Sequence, residues 1–144
     1  MEKVDLAVSC YMEDFTCGQA ILSTYGPQFG LNRVVALKLT TAFGGGIARL
    51  GEICGAVNGA LMVIGLKHGR SEIEDIKSKE KTYKLAREFI KRFRTKNGSF
   101  VCKDLLNCDI NTIDGRKYAL DNNLFTTVCP SFVKTSAEIL EQIL

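Results

Sequence analysis

From residue 28 to residue 129 the chain contains no proline; its only two are Pro27 and Pro130. Proline is the residue that most reliably interrupts a helix. Its absence over this span leaves glycine as the main punctuation and allows long helices between breaks. Strand-like alternation is scarce and there is no repeat. The reading is an all-α, compact single-domain helical bundle of about six to seven helices, with one cysteine-rich domain over 1–144.

Boundaries follow from caps and breakers. A short helix is expected over Lys3–Met12. A second runs from Thr16 to Tyr25, with Asp14 or Thr16 as cap, Ala20, Ile21 and Tyr25 on its inner face, and Gly26-Pro27 ending it. A third runs from Asn32 to Thr41, with Val34, Val35 and Leu37 turned inward, before Gly44-Gly45-Gly46 breaks the pattern. A fourth is expected from Gly51 to Gly69, closed by Lys67 and His68, whose charge suits the helix C-terminus. The fifth is long, from Ser71 to Lys96, with a Ser71/Glu74 capping box and a buried stripe of Tyr83, Ala86, Phe89, Ile90 and Phe93. Short helices over Cys102–Asn107 and Thr112–Asn122 come next. The last spans Pro130–Leu144, with Pro130 at a first helical position and Phe132, Ile139, Leu140 and Ile143 on one face.

The chain has 144 residues and a net charge of +3. That length buries a core without staples, and that charge provides no strong attraction to nucleic acid or an anionic membrane. The basic residues of the fifth helix read as its solvated face. The most apolar stretch, Ile53 to Leu66, is shorter than the roughly 20 residues that span a bilayer. Neither nucleic-acid binding nor membrane insertion is expected, and with no export signal in view the expected location is cytoplasmic.

Six cysteines stand out: Cys10, Cys17, Cys54, Cys102, Cys108 and Cys129. In a reducing compartment lasting disulfides are rare, which favours metal or redox work, while free cysteine also packs well as a small apolar residue. No Cys-x-x-Cys pair exists, so thioredoxin, zinc-ribbon and ferredoxin spacings are absent. The single His68 cannot build a His-rich metal site, and Asp104 and Asp109 read as caps. Cys17, Cys54, Cys129 and also Cys102 fall at expected helix starts. Unsatisfied N–H groups there favour a thiolate over a thiol. Cys54 is expected in the first turn of the fourth helix, with Arg49 able to add charge if it folds back. Apolar burial would have the opposite effect and leave Cys54 inert.

Gly51, Gly55 and Gly59 lie four apart and form one smooth strip if helical, with Ala56 and Ala60 beside it. Close helix packing is the favoured reason for such a strip; close approach of a cofactor or partner sulfur is the alternative. The Gly44-Gly45-Gly46 loop could also cradle an anion, although no Walker sequence follows it.

These residues also carry a family resemblance. Cys17-Gly18-Gln19-Ala20, Ala42-Phe43-Gly44-Gly45-Gly46-Ile47-Ala48, Cys54-Gly55-Ala56-Val57-Asn58-Gly59-Ala60-Leu61-Met62, Phe89 and Phe93, Cys102-Lys103-Asp104-Leu105-Leu106 and Cys129 together resemble the redox-active family named for its C-GCAxxG-C-C cysteine pattern. The resemblance covers nearly the whole chain. It implies a small helical protein, often associated with transporter loci, whose characteristic cysteines correspond here to Cys17, Cys54, Cys102 and Cys129. Cys108 matches a cysteine found in some relatives, and Cys10 matches none.

Three readings follow. In the first, a thiol oxidoreductase or electron-transfer accessory protein, Cys54 is the thiolate and Cys17, Cys102 or Cys129 resolves it. In the second, those four cysteines bind zinc or an iron–sulfur cluster, with Cys108 as a spare ligand. Gly44, Gly45, Gly46, Gly55 and Gly59 would let a cofactor approach. The third is a helical interaction module with buried cysteines. The partners considered are a redox protein and a second copy across the glycine strip.

Overall fold

The computed structural model describes residues 2–144. Among them the chain is helical, with no strand and one isolated antiparallel bridge between Ile53 and Val101. The α-helices are α1 (Glu2–Met12), α2 (Cys17–Tyr25), α3 (Arg33–Thr40), α4 (Gly55–His68), α5 (Ile76–Asn97), α6 (Cys102–Leu106), α7 (Ile113–Asp121), α8 (Leu124–Thr127) and α9 (Cys129–Ile143). Two 3₁₀ turns, Gly26–Phe29 and Thr41–Phe43, follow α2 and α3. The expected six to seven helices thus become nine α-helical segments among the described residues. The excess lies in pieces as short as α6 and α8, of 5 and 4 residues.

Helix α2 is central and packs against α1, α3, α4 and α9. It starts where Thr16 and Gln19 cap each other reciprocally, so two orphan N–H groups are satisfied. Ala20, Ile21, Leu22 and Tyr25 are all buried in it. The Tyr25 hydroxyl reaches Glu141 Oε2 at 3.1 Å. Helix α4 is apolar nearly all round and lies within the bundle, where the Ser136 hydroxyl donates to the Ala56 carbonyl at 2.8 Å. Phe89 and Phe93 of α5 are fully buried and stacked at 6.1 Å. Burial of each side chain contributes roughly 1.5–3 kcal/mol.

Three expectations are corrected. Val34 and Val35 of α3 face outward, at 62% and 40% exposure, and Ala36 and Thr40 face the core. The small face wins because α3 lies close to α2: a Cβ on Gly18 would sit 3.6 Å from Thr40 Cβ. Helix α5 starts at Ile76, because Asp75 accepts from the Ser78 amide at 3.0 Å; the Ser71/Glu74 box lies outside it. Tyr83, in its first half, is 51% exposed. Helix α4 starts at Gly55, so Gly51 lies outside the helical strip.

The delayed start of α4 has a local cause. Gly45, Gly46, Ile47, Ala48 and Arg49 all have positive φ, from 48° to 69°. This left-handed turn is closed by its own amides. Ala48 N–H donates to the Ala42 carbonyl at 2.8 Å, Arg49 to Gly44 at 2.9 Å and Glu52 to Gly46 at 2.8 Å. The chain then runs extended beside residues 100–102, where Cys54 N–H donates to the Phe100 carbonyl at 2.9 Å and Cys102 N–H to the Glu52 carbonyl at 2.6 Å. Gly98, left-handed at φ 84°, turns the chain out of α5 to make this pairing, and Arg94 lies 4.8 Å over the Phe100 ring. No described helix is long and apolar enough to cross a membrane.

Candidate functional site

Four helix starts converge. Cys17 is the first residue of α2, Cys102 of α6 and Cys129 of α9, and Cys54 is the N-cap of α4. All four line one small cavity, together with Gly45, Gly46, Gly55, Leu105, Leu106 and Phe132. Glycine makes this approach sterically feasible. A Cβ on Gly55 would lie 3.0 Å from Gly18 N, 3.1 Å from the Phe43 carbonyl and 3.6 Å from Cys17 Cβ. A Cβ on Gly59 would lie 3.0 Å from the Gly18 carbonyl. Gly55 and Gly59 therefore serve packing of α4 on α2, the reading favoured from sequence. On Gly46 a Cβ would lie 2.6 Å from Cys102 Cβ.

The sulfurs are chemically unequal. The Cys17 thiol is held well above the ordinary thiol value, first by hydrogen bonding to Cys129 and to Cys54, then by burial. Cys54 is lowered, chiefly because Cys17 hydrogen-bonds to it. The Ala56 and Val57 amides at the start of α4 favour its thiolate, and burial opposes them. Arg49 is exposed and is not among these leading influences. Cys129 is also lowered, by hydrogen bonding from Cys17 and then from Tyr11, against burial. Burial pushes Cys102 up to about 12. Within one cluster Cys54 and Cys129 are thus lowered, and Cys17 and Cys102 raised.

Tyr11 was not singled out from the sequence. Its hydroxyl donates to the Phe125 carbonyl at 2.6 Å and stands near enough to Cys129 to favour that sulfur's thiolate. Its own ionisation is pushed up by burial and then by the neighbouring sulfurs. No spacing rule links residue 11 to residues 125 and 129; only the packing of α1 on α9 brings them together.

The remaining candidates lie elsewhere. Cys10 is buried 3.5 Å from the Ser23 hydroxyl, and Cys108 is half-buried, raised by burial and then by Asp109. Neither lines the cavity. Gly45, Gly46 and Gly55 line it, whereas Gly44 packs on Thr16. The amides after the glycine triplet are bonded within the left-handed turn, so they are not free to cradle an anion. Among the described residues, no three His, Cys, Asp or Glu side chains stand in an arrangement that would hold a metal ion.

A family model described as "Putative redox-active protein (C_GCAxxG_C_C)" matches residues 15–143. No curated protein and no solved structure matches the chain. In this chain the central element reads Cys54-Gly55-Ala56, with the cysteine before the glycine. The backbone crowding around residue 55 favours glycine at that position.

Proposed function

The chain belongs to the C_GCAxxG_C_C family, and on that premise we propose that it performs thiol–disulfide redox chemistry with Cys54 as the reactive thiolate and Cys17 as its bridging partner. The observation that carries this reading is the meeting of Cys17 and Cys54, each at the start of a helix, in the wall of one small cavity. A thiolate beside a second thiol is the starting arrangement for a reversible bridge. The helix N-terminus at Cys54 favours that thiolate, as partial positive charge does for reactive cysteines generally. In the forward step two thiols lose two protons and two electrons to an oxidant and a Cys17–Cys54 bond forms. A reductant reverses the step. Cys129 lines the same cavity, and Cys102 remains a neutral thiol in its wall.

The test is mild oxidation by diamide, followed by denaturation in an alkylating agent and peptide mapping. The wild-type chain is expected to form a Cys17–Cys54 bridge, and Cys54→Ser to form none. Unchanged disulfides in Cys54→Ser would show that the role given to Cys54 is wrong.

The convergence of four family cysteines on one cavity supports a second reading, a zinc or iron–sulfur site on Cys17, Cys54, Cys102 and Cys129. It requires the sulfurs to draw together around the ion. Elemental analysis of protein purified without oxygen decides it: near-stoichiometric zinc or iron supports the metal site, and protein lacking both removes it.

A further inference from the structure

Helix α3 carries its large apolar side chains on the outside: Val34, Val35 and Leu39 are exposed, Leu39 to 55%. Single exposed apolar residues need no explanation, whereas a continuous patch marks a surface that another molecule covers. This patch runs toward the cysteine cavity. The Ala48 amide donates to the Ala42 carbonyl at 2.8 Å, which sets the left-handed turn, followed by Leu50 at 46% exposure, against the end of α3. Gln19, in the first turn of α2, donates to the Leu37 carbonyl at 3.0 Å and to the Thr41 hydroxyl at 3.2 Å. The end of α3 is thus fastened to the helix start that carries Cys17. Of the four cavity cysteines, Cys17 alone is only partly buried.

The charge along this stretch has one sign. From Phe15 to Gly51 the sequence has no aspartate or glutamate and three cations, Arg33, Lys38 and Arg49. All three are exposed. Arg49 lies beside the cavity wall, since a Cβ on Gly45 would be 2.9 Å from its Cγ and Gly45 lines the cavity. An apolar surface edged by cations is complementary to an apolar segment that carries acids, and such complementarity governs which partner docks and how fast. We propose that this face docks the protein that reduces the site: a partner whose reactive cysteine is flanked by apolar and acidic side chains, laid along α3 and the left-handed turn with its thiol at Cys17. This inference rests on the thiol–disulfide reading above.

The exchange balances. A partner thiolate attacks the Cys17 sulfur of the Cys17–Cys54 bridge; a partner–Cys17 S–S bond forms, the bridge breaks, and Cys54 leaves as a thiolate. The sulfur of lower pKa departs faster, and Cys54 is lowered whereas Cys17 is raised. A second partner thiolate then attacks the partner sulfur of the mixed disulfide, and Cys17 leaves and takes up a proton. Two partner thiols and one bridge give one partner disulfide, the Cys17 thiol, the Cys54 thiolate and one proton released to solvent.

The experiment starts from the full chain bridged by diamide and freed of reagent. Three peptides of equal length, each with one cysteine, are offered: one flanked by leucine and glutamate, one by leucine and lysine, one by serine and glycine. Loss of the bridge is followed by alkylation in denaturant and mass spectrometry. Each rate is divided by that of the same peptide with hydroxyethyl disulfide, which removes intrinsic thiol reactivity. At low salt the leucine–glutamate peptide is expected to exceed the other two by about tenfold or more, the lower end of electrostatic steering, and its lead over leucine–lysine to shrink as salt is added. Lys38→Glu with Arg49→Glu should turn the preference to the leucine–lysine peptide. Val35→Ser with Leu39→Ser should slow both leucine peptides toward the serine–glycine rate; these four side chains are exposed, and the diamide bridge is expected to form unchanged in both variants. Equal normalised rates in the wild-type chain, or a preference unmoved by Lys38→Glu with Arg49→Glu, would overturn the docking face and leave the dithiol reading standing. So would a chain that is dimeric in solution and monomeric in the Val35→Ser, Leu39→Ser variant, which would give the face to a second copy. Absence of a diamide bridge in the wild-type chain would overturn both.

Discussion

Replacing Gly46 by alanine tests how tightly the left-handed turn is fastened to the cysteine cavity. Two costs add at this position. The backbone has φ 69°, and a left-handed residue other than glycine costs about 1–2 kcal/mol. The new Cβ would also lie 2.6 Å from both Cys102 Cβ and Glu52 N. Relieving such overlap in a packed interior costs about 1–3 kcal/mol, so the sum is about 2–5 kcal/mol. That is a large share of the roughly 5–15 kcal/mol by which a domain is stable. Two other glycines separate the terms. Gly30 has φ 89° and nothing within 4 Å of a new Cβ, so Gly30→Ala bears the backbone cost alone, about 1–2 kcal/mol. Gly65 is helical with the same open space, so Gly65→Ala should stabilise by up to about 1 kcal/mol. Urea unfolding under reducing conditions reads all three. At a slope of about 2 kcal/mol per molar, Gly46→Ala lowers the midpoint by about 1–2.5 M. If Gly46→Ala costs no more than Gly30→Ala, the contact with Cys102 does not constrain the turn and the reasoning fails.

Other perturbations bear on the site's electrostatics. Cys102 is raised from the ordinary thiol value of 9.0 to about 12, so the folded chain holds a proton that the unfolded chain releases. Its contribution is full below pH 9 and is lost as pH rises toward 12. Stability measured by urea unfolding should therefore fall over that range, and fall less steeply in Cys102→Ala; an equal slope would contradict the assignment. Cys54 is lowered, so its contribution has the opposite sign: present above pH 9 and lost as pH falls through its folded value. Cys54→Ser should lose that dependence. Tyr11→Phe leaves the Phe125 carbonyl, now bonded at 2.6 Å, without its donor, at a cost of about 1–3 kcal/mol. It should also raise the pH at which Cys129 is alkylated in the folded protein; an unmoved profile would show that Tyr11 does not act on that sulfur.

Much of this arrangement was legible in the sequence, and the gaps have physical causes. The starts at Cys17, Cys102 and Cys129 were readable because caps, breakers and Pro130 act over a few residues. The inner face of α2 and the stripe of Phe89 and Phe93 followed from helical period. The α3 face was misread because period reports apolarity, whereas contact with α2 selects small residues, Ala36 and Thr40. The left-handed turn was invisible because Ile47 and Ala48 disfavour that conformation. Their positive φ is maintained by hydrogen bonds within the turn and by pairing with residues 100–102, a tertiary constraint. That turn also moved Cys54 from a first-turn position to the N-cap. Tyr11 was missed for the same reason, since its partners lie more than a hundred residues away.

The most direct test of the central claim is an equilibrium thiol–disulfide titration of the folded chain. Samples are poised in dithiothreitol buffers of stepped potential, quenched in denaturant with alkylating agent, and mapped. The account predicts a single two-electron transition in which Cys17 and Cys54 become protected together while Cys10 and Cys108 remain free. Protection of a different pair, or no transition at any potential that leaves the chain folded, would contradict it.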